Sequence, residues 1–310
     1  MIETLHVNNY DIEELLYHYD EKDTREQEQK KEKKLFLFLE GDYFENVQEE
    51  VEGMDINANT KLLWEKSTLW HEHRANGPLI VETINSSPIF KTFLEEWSEE
   101  NRGVIILSNY SLEQVTRHLQ SLIFVTEPDN TLTRLRLYEP RKLRGLLNAM
   151  QEPNSLSDMM GCIETFVWQE NCGLEEEWLH TNNPNPHAPQ HTIHDENWFV
   201  FTEEQNVILF LNEEEYSSKK LSYELEDLFK IPVEQEQRYE QIKLLSKEAE
   251  IMGFREDEEK TDYIKLRLEF GDFREDEEVE KIMSANRLYV ETQIYELEKY
   301  LNSKKERSHE

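Results

Sequence analysis

Few of the residues that usually advertise a function are present in this chain. Its 310 residues include only two cysteines, Cys162 and Cys172, too few for the disulfide framework of a small secreted domain and in keeping with a reducing compartment. No stretch approaches the roughly 18 consecutive apolar residues that a membrane-crossing helix needs, so no membrane span is expected. The opening MIETLHVNNYDIEELL lacks the basic and apolar regions of a signal peptide, and a cytoplasmic location is the expectation. A glycine-rich phosphate loop, a GxSxG elbow, HExxH and CxxC are all missing, which points away from an enzyme and from any cofactor. Cations are scarce too: 34 Lys and Arg face 67 Asp and Glu, for a net charge of -33. Between Gly145 and Ser218 there is no Lys or Arg at all, against 14 Asp and Glu. Such a surface repels phosphate backbones and anionic lipid, so neither nucleic acid nor membrane is an expected partner, whereas a basic protein surface is. Acidity taken alone serves solubility equally well.

What is present sorts into four stretches. Residues 1–34 form an N-terminal extension that ends in the charge run EKDTREQEQKKEKK. Residues 35–169 read as an α/β domain. LFLFL (Leu35–Leu39), LIVETI (Leu79–Ile84) and GVIIL (Gly103–Leu107) have the apolar runs of buried strands. Ser87 followed by Pro88 starts one helix, and the capping box Ser111/Gln114 starts another. This alternation predicts crossover connections and a mixed sheet with some parallel pairing, flanked by helices. SLIFVTEPDNTLTRLRLY (Ser121–Tyr138) reads as a hairpin turned by Glu127–Asn130, its second strand carrying Arg134, Arg136 and Tyr138 outward; IETFVW (Ile163–Trp168) adds a further strand. Residues 170–197, rich in Pro, His and acid, read as a long loop. Residues 198–310 read as a mainly helical lobe in which FREDEE occurs twice, at Phe254 and at Phe273, each time ahead of a helix whose N-terminus those acids favour.

Two constellations carry chemistry. RLRLYEPRKLRGLL (Arg134–Leu147) sets five cations, Arg134, Arg136, Arg141, Lys142 and Arg144, around a strand-to-helix corner at Tyr138-Glu139-Pro140. Together with Tyr138 these are the candidate partner-binding residues, able to take an acidic segment or a phosphate. They are equally able to pair with the chain's own carboxylates, and exposed pairs of that kind contribute little. The second constellation is His187, His191 and His194, whose imidazoles suit zinc in principle, although Pro184, Pro186 and Pro189 prevent a helix from aligning them. His71 and His73 form a weaker pair. No metal is expected, and these histidines are the weak alternative.

GPLIVETI, GVIILSNYSLEQVTRHLQSLIFV and above all RLRLYEPRKLRGLL resemble the adaptor, or effector chaperone, domain of bacterial type VI secretion systems, long known only as a domain of unknown function. Gly77, Pro78, Gly103, Arg117, His118, Leu119, Arg136, Tyr138, Glu139, Pro140 and Arg141 occupy the places of the family's pattern. The likeness covers about Leu35–Trp168; residues 1–34 and 170–197 depart from it. It implies a non-catalytic protein that holds a toxic effector and helps to mount it on the spike protein, so that effector and spike are the implied partners. An acidic, immunity-type inhibitor of a basic toxin and, less favoured, a metal-dependent enzyme are the alternative readings.

Overall fold

The computed structural model describes residues 3–5, 33–41, 46–64, 76–150, 152–171, 176–195, 198–229, 233–284 and 290–308. His71, His73, Cys172 and most of the charge run lie outside them. In chain order the elements are β1 (Glu3–Leu5), β2 (Lys34–Leu39), α1 (Val47–Met54), β3 (Asn59–Leu62), β4 (Leu79–Thr83), α2 (Pro88–Thr92, extended by a π-helical turn Phe93–Trp97) and β5 (Gly103–Ser108). Then come α3 (Leu112–Ser121), β6 (Phe124–Thr126), β7 (Leu132–Arg134), α4 (Pro140–Ala149), α5 (Pro153–Met160), β8 (Thr165–Asn171) and β9 (Glu176–Asn182). A helical stretch follows: α6 (Glu203–Glu224), a short 3₁₀ turn (Glu226–Leu228), α7 (Gln235–Ile251), α8 (Asp257–Phe270), α9 (Glu277–Met283) and α10 (Val290–Ser308). None of the described helices is long and apolar enough to cross a membrane.

The class is mixed α/β with a mainly helical C-terminal region. Seven strands form one sheet in the order β1-β9-β8-β5-β2-β4-β3. Its pairing corrects the expected mixture of parallel and antiparallel strands, because every neighbouring pair is antiparallel. β4 and β5 do run the same way, as a strand–helix–strand crossover requires. They are not neighbours, because β2 lies between them and pairs antiparallel with both. This central position explains LFLFL. Phe36 and Phe38 enter one core, while Leu35, Leu37 and Leu39 enter the core on the opposite face. A strand covered on both sides needs apolar residues at every position rather than at alternate ones.

Helices cover the two faces. α1 and α2 close one core through Val47, Val51, Ile89, Phe90, Phe93 and Trp97. α3, α4 and α5 close the other, with Leu119, Leu143 and Met159 among their buried residues. The helix starts are those read from the sequence: Ser87 Oγ accepts from Phe90 N–H at 3.0 Å with Pro88 in the first turn, and Ser111 and Gln114 form a complete capping box. Gly103 is needed for close approach, since a Cβ there would lie 2.6 Å from the Phe38 carbonyl oxygen across the sheet.

Two expectations for the middle of the chain change. The second hairpin strand stops at Arg134, and the hairpin is a separate two-stranded sheet. Of the stretch expected to be a long loop, residues 170–171 complete β8 and residues 176–182 form β9, which pairs with β8 over seven residues and with β1 at the sheet edge. The N-terminal extension therefore supplies one strand of the sheet. Among the described residues of that stretch only 183–195 are irregular, and Asn183 ties them down by donating to the carbonyls of Gly161 and Ile163, each at 3.0 Å. VILFL (Val207–Leu211) is helical, within α6.

The described chain divides into two compact units, one ending at Glu213 and the other beginning at Glu214. The second unit is helical, with two small cores. The repeated FREDEE phrases both open helices, as expected, but not on the same letter. Glu256, the third residue of its copy, caps α8 with a capping box to Glu259; Asp276, the fourth residue of its copy, caps α9. Both phenylalanines, Phe254 and Phe273, are buried in one cluster with Tyr263, Leu297 and Leu301.

Candidate functional site

The Tyr-Glu-Pro corner is built from the hairpin upward. Leu135 N–H donates to the Ile123 carbonyl, and Glu139 N–H closes a turn on Arg136. Pro140, with its fixed φ and no N–H to satisfy, then opens α4. Tyr138 does not face outward as the alternation suggested: it is 2% exposed and meets Phe38 edge-on at 5.5 Å. Burial pushes its phenol up to about 12, so it stays protonated. The tyrosine locks the corner onto the central strand.

The five cations lie around this corner, each beside groups of the same unit. Arg134 lies over the Trp64 ring at 5.5 Å and donates to the Tyr138 hydroxyl at 3.5 Å. Arg136 donates to Glu139 at 2.8 Å, and this hydrogen bond to the carboxylate holds its guanidinium above the usual arginine value. Arg141 and Lys142 both meet Glu213 of α6, the latter at 2.8 Å. Arg144 reaches Glu170 of β8, a carboxylate buried at 4% exposure. α6 also packs against α4 elsewhere: the side-chain amide of Asn148 donates to that of Asn212 at 2.9 Å, and Gly145 leaves room for Asn212 and Leu209. The basic patch is therefore largely neutralised from within, which fits the pairing alternative read from the sequence.

Residues 35–155 match a family model. It is described as "Domain of unknown function (DUF4123)". The matched segment runs from the central strand β2 through the Tyr-Glu-Pro corner into α5, and all of it lies in the first unit. No curated protein and no solved structure matches the chain.

The histidines form a second place of interest, different in membership from the sequence reading. His187 and His191 line a cavity of about 270 Å³ together with His118, Asp158, Gln190, Trp198 and Phe199. His194 is exposed and outside it. His191 stacks on Trp198, with 4.1 Å between ring centres, and Trp198 donates its indole N–H to the Ser121 carbonyl at 2.8 Å. His187 lies 4.0 Å from Asp158, and its backbone N–H donates to the Gly161 carbonyl. Among the described residues no three His, Cys, Asp or Glu side chains converge as a metal would require.

His118 itself was visible in the sequence only as part of Arg117-His118-Leu119. It is 3% exposed, its Nε2 lies 2.8 Å from the Met159 carbonyl, and burial pushes it down to about 4. Its ring occupies the space where a Cβ on Gly161 would stand, and Gly161 adopts φ 53°, so glycine is required there twice over. Cys162, next in sequence, is buried and free, and burial pushes its thiol up to about 12, away from the reactive thiolate.

Proposed function

We propose that this protein is an adaptor that holds a toxic effector in the producing cell and promotes its mounting on the spike protein of a type VI secretion system, without catalysing a reaction itself. The observation that carries the reading is the Arg-Leu-Tyr-Glu-Pro-Arg stretch. It resembles the adaptor family in sequence and falls within the segment matched by a family model that names no function. Its residues in this chain serve construction: Tyr138 in the core, Pro140 at a helix start, Arg141 paired across to α6. A recognisable motif that builds a fold suits a scaffold whose specificity lies on other surfaces. The net charge of -33 supports a cytoplasmic partner with basic surfaces rather than nucleic acid or lipid.

Deletion of the gene tests the reading. Secretion of one toxin should be lost while the spike itself is still delivered, and the deleted strain should stay immune to its own toxin. Unchanged toxin secretion would refute the adaptor role. Loss of self-protection, or rescue of a sensitive recipient cell by expressing the protein there, would instead identify an immunity-type inhibitor.

A further inference from the structure

Helix α6 has an unusual exposed side. Ile208 and Leu209 pack onto the core of the first unit, but Val207, Phe210 and Leu211, at i, i+3 and i+4, are 57%, 60% and 54% exposed. The apolar surface extends beyond the helix. Leu132 of β7 and Val200 are both backbone partners of Thr126, so they project from one face of the hairpin on either side of it, and both are more than half exposed. Asn206 joins the two parts by donating to Glu127 at 2.9 Å. An apolar face shared by two elements is more than the scattered exposed leucine found on any protein.

Exposed carboxylates border this face, and the cations beside it, Arg141 and Lys142, are paired with Glu213. Asp129 of the hairpin turn and Glu203 and Glu204 of the first turn of α6 are exposed, and the sequence offers no Lys or Arg from Gly145 to Ser218. The cation on the hairpin, Arg134, lies over Trp64 and reaches Tyr138. An apolar ridge bordered by exposed carboxylates, with its neighbouring cations already paired, matches an amphipathic helix that carries apolar anchors at i, i+3, i+4 and i+7 and lysines or arginines beside them.

We infer that the face formed by Leu132, Val200, Val207, Phe210 and Leu211 is a docking surface for a basic amphipathic helix of a partner protein. This deepens the adaptor reading and rests on it for the class of partner, a protein held by direct contact. Phe210 is the central anchor and the carboxylates select the sign of the partner's charge.

The test uses the purified full chain and a fluorescent synthetic helix made of leucine and lysine, with its leucine–glutamate counterpart as control. The lysine helix should bind and weaken as salt is raised, and the glutamate helix should not bind. Phe210→Asp should weaken binding at least about tenfold, and the milder Phe210→Ala severalfold. Ile56→Asp, at an exposed apolar residue on another surface of the same unit, should leave binding unchanged. Equal binding by Phe210→Asp and the unsubstituted chain, or no binding of the lysine helix, overturns the inference. So does a concentration-dependent dimer that Phe210→Asp converts to monomer, since the face would then belong to a second copy. Loss of the inference with toxin secretion still dependent on the gene leaves the adaptor standing on another surface; binding without that dependence leaves the surface and removes the adaptor.

Discussion

The two units are stabilised differently. In the first, a sheet buries apolar side chains on both faces, and the largest fully buried groups include Trp97, Trp168, Trp178 and Phe38. In the second, two small apolar clusters are supplemented by an ionic network. Glu248 accepts from Tyr263 at 2.6 Å and from Arg267 at 3.3 Å through its second guanidinium nitrogen, and it pairs with Arg274 at 3.1 Å. The first unit therefore depends on shape, which is what a family pattern records. The second adds charge pairing to its two apolar clusters. It is the first unit that contains the matched segment.

The largest effect should come from the shared centre of the sheet. Phe38→Ala removes the ring that meets Tyr138 and should cost about 3–5 kcal/mol. All six tryptophans lie at or before Trp198, so denaturant unfolding followed by tryptophan emission reports the first unit alone. A loss below about 1 kcal/mol would contradict the central place given to β2.

Acid should separate the units next. His118 is held down at about 4 in the folded protein by burial, against an ordinary value of 6.5. The unfolded chain therefore takes up the proton first, so stability falls as pH drops from 6.5 towards 4 and levels off below; the loss is about 3 kcal/mol. Replacing His118 with Gln should flatten that dependence in tryptophan-detected unfolding. The second unit should respond lower. Burial pushes Glu248 up, but the hydrogen bonds from Arg267 and Tyr263 outweigh it, and its net value lies below the ordinary 4.5. Its contribution is present above that value and lost as pH falls through the folded value, which hydrogen exchange of α7 and α8 would follow. Coincident acid transitions in the two units would break the distinction.

Smaller effects sharpen it. Arg144→Ala leaves the buried Glu170 without that cation, and with the arginine partly exposed the cost should be about 1–2 kcal/mol. Glu213→Ala, at a more exposed pair, should cost less than about 1 kcal/mol in the same assay. Equal losses would mean that burial of the carboxylate is not what sets the difference. In the second unit Tyr263→Phe deletes one hydrogen bond to Glu248, for about 1 kcal/mol in hydrogen exchange of α8.

Local signals in the sequence were the most legible. Ser87-Pro88, Ser111/Gln114 and Pro140 announce helix starts because each satisfies or removes an end N–H within a few residues. LFLFL gives a buried strand for the same reason of proximity. The partner of a strand is not local: nothing in LIVETI or GVIIL states that β2, from far upstream, separates them. Residues 176–182 hid a strand because Glu, His and Asn dilute its apolar alternation, although β9 lies between β1 and β8. Strand alternation points Tyr138 outward, but the strand ends at Arg134 and the alternation ends with it, so the ring turns into the core. For the candidate site, the cations were found but the carboxylates that meet them, Glu170 and Glu213, lie 26 and 72 residues away. The His118 cavity draws on α3, α5 and the 183–195 segment, and no spacing rule joins those. Charge reversal at Arg141 or Arg144, which the sequence alone suggests as a binding test, would first disturb these internal pairs, so exposed positions such as Phe210 read binding more cleanly.

The most direct measurement of the central claim is co-expression of the full chain with toxins and spike proteins of a type VI secretion system, followed by size-exclusion chromatography and mass measurement of the peak. The adaptor account expects a complex of defined stoichiometry that survives purification, with the toxin chemically unaltered. Separate elution of this chain from every toxin and spike tested, or recovery of a toxin that it has cleaved or modified, would contradict it.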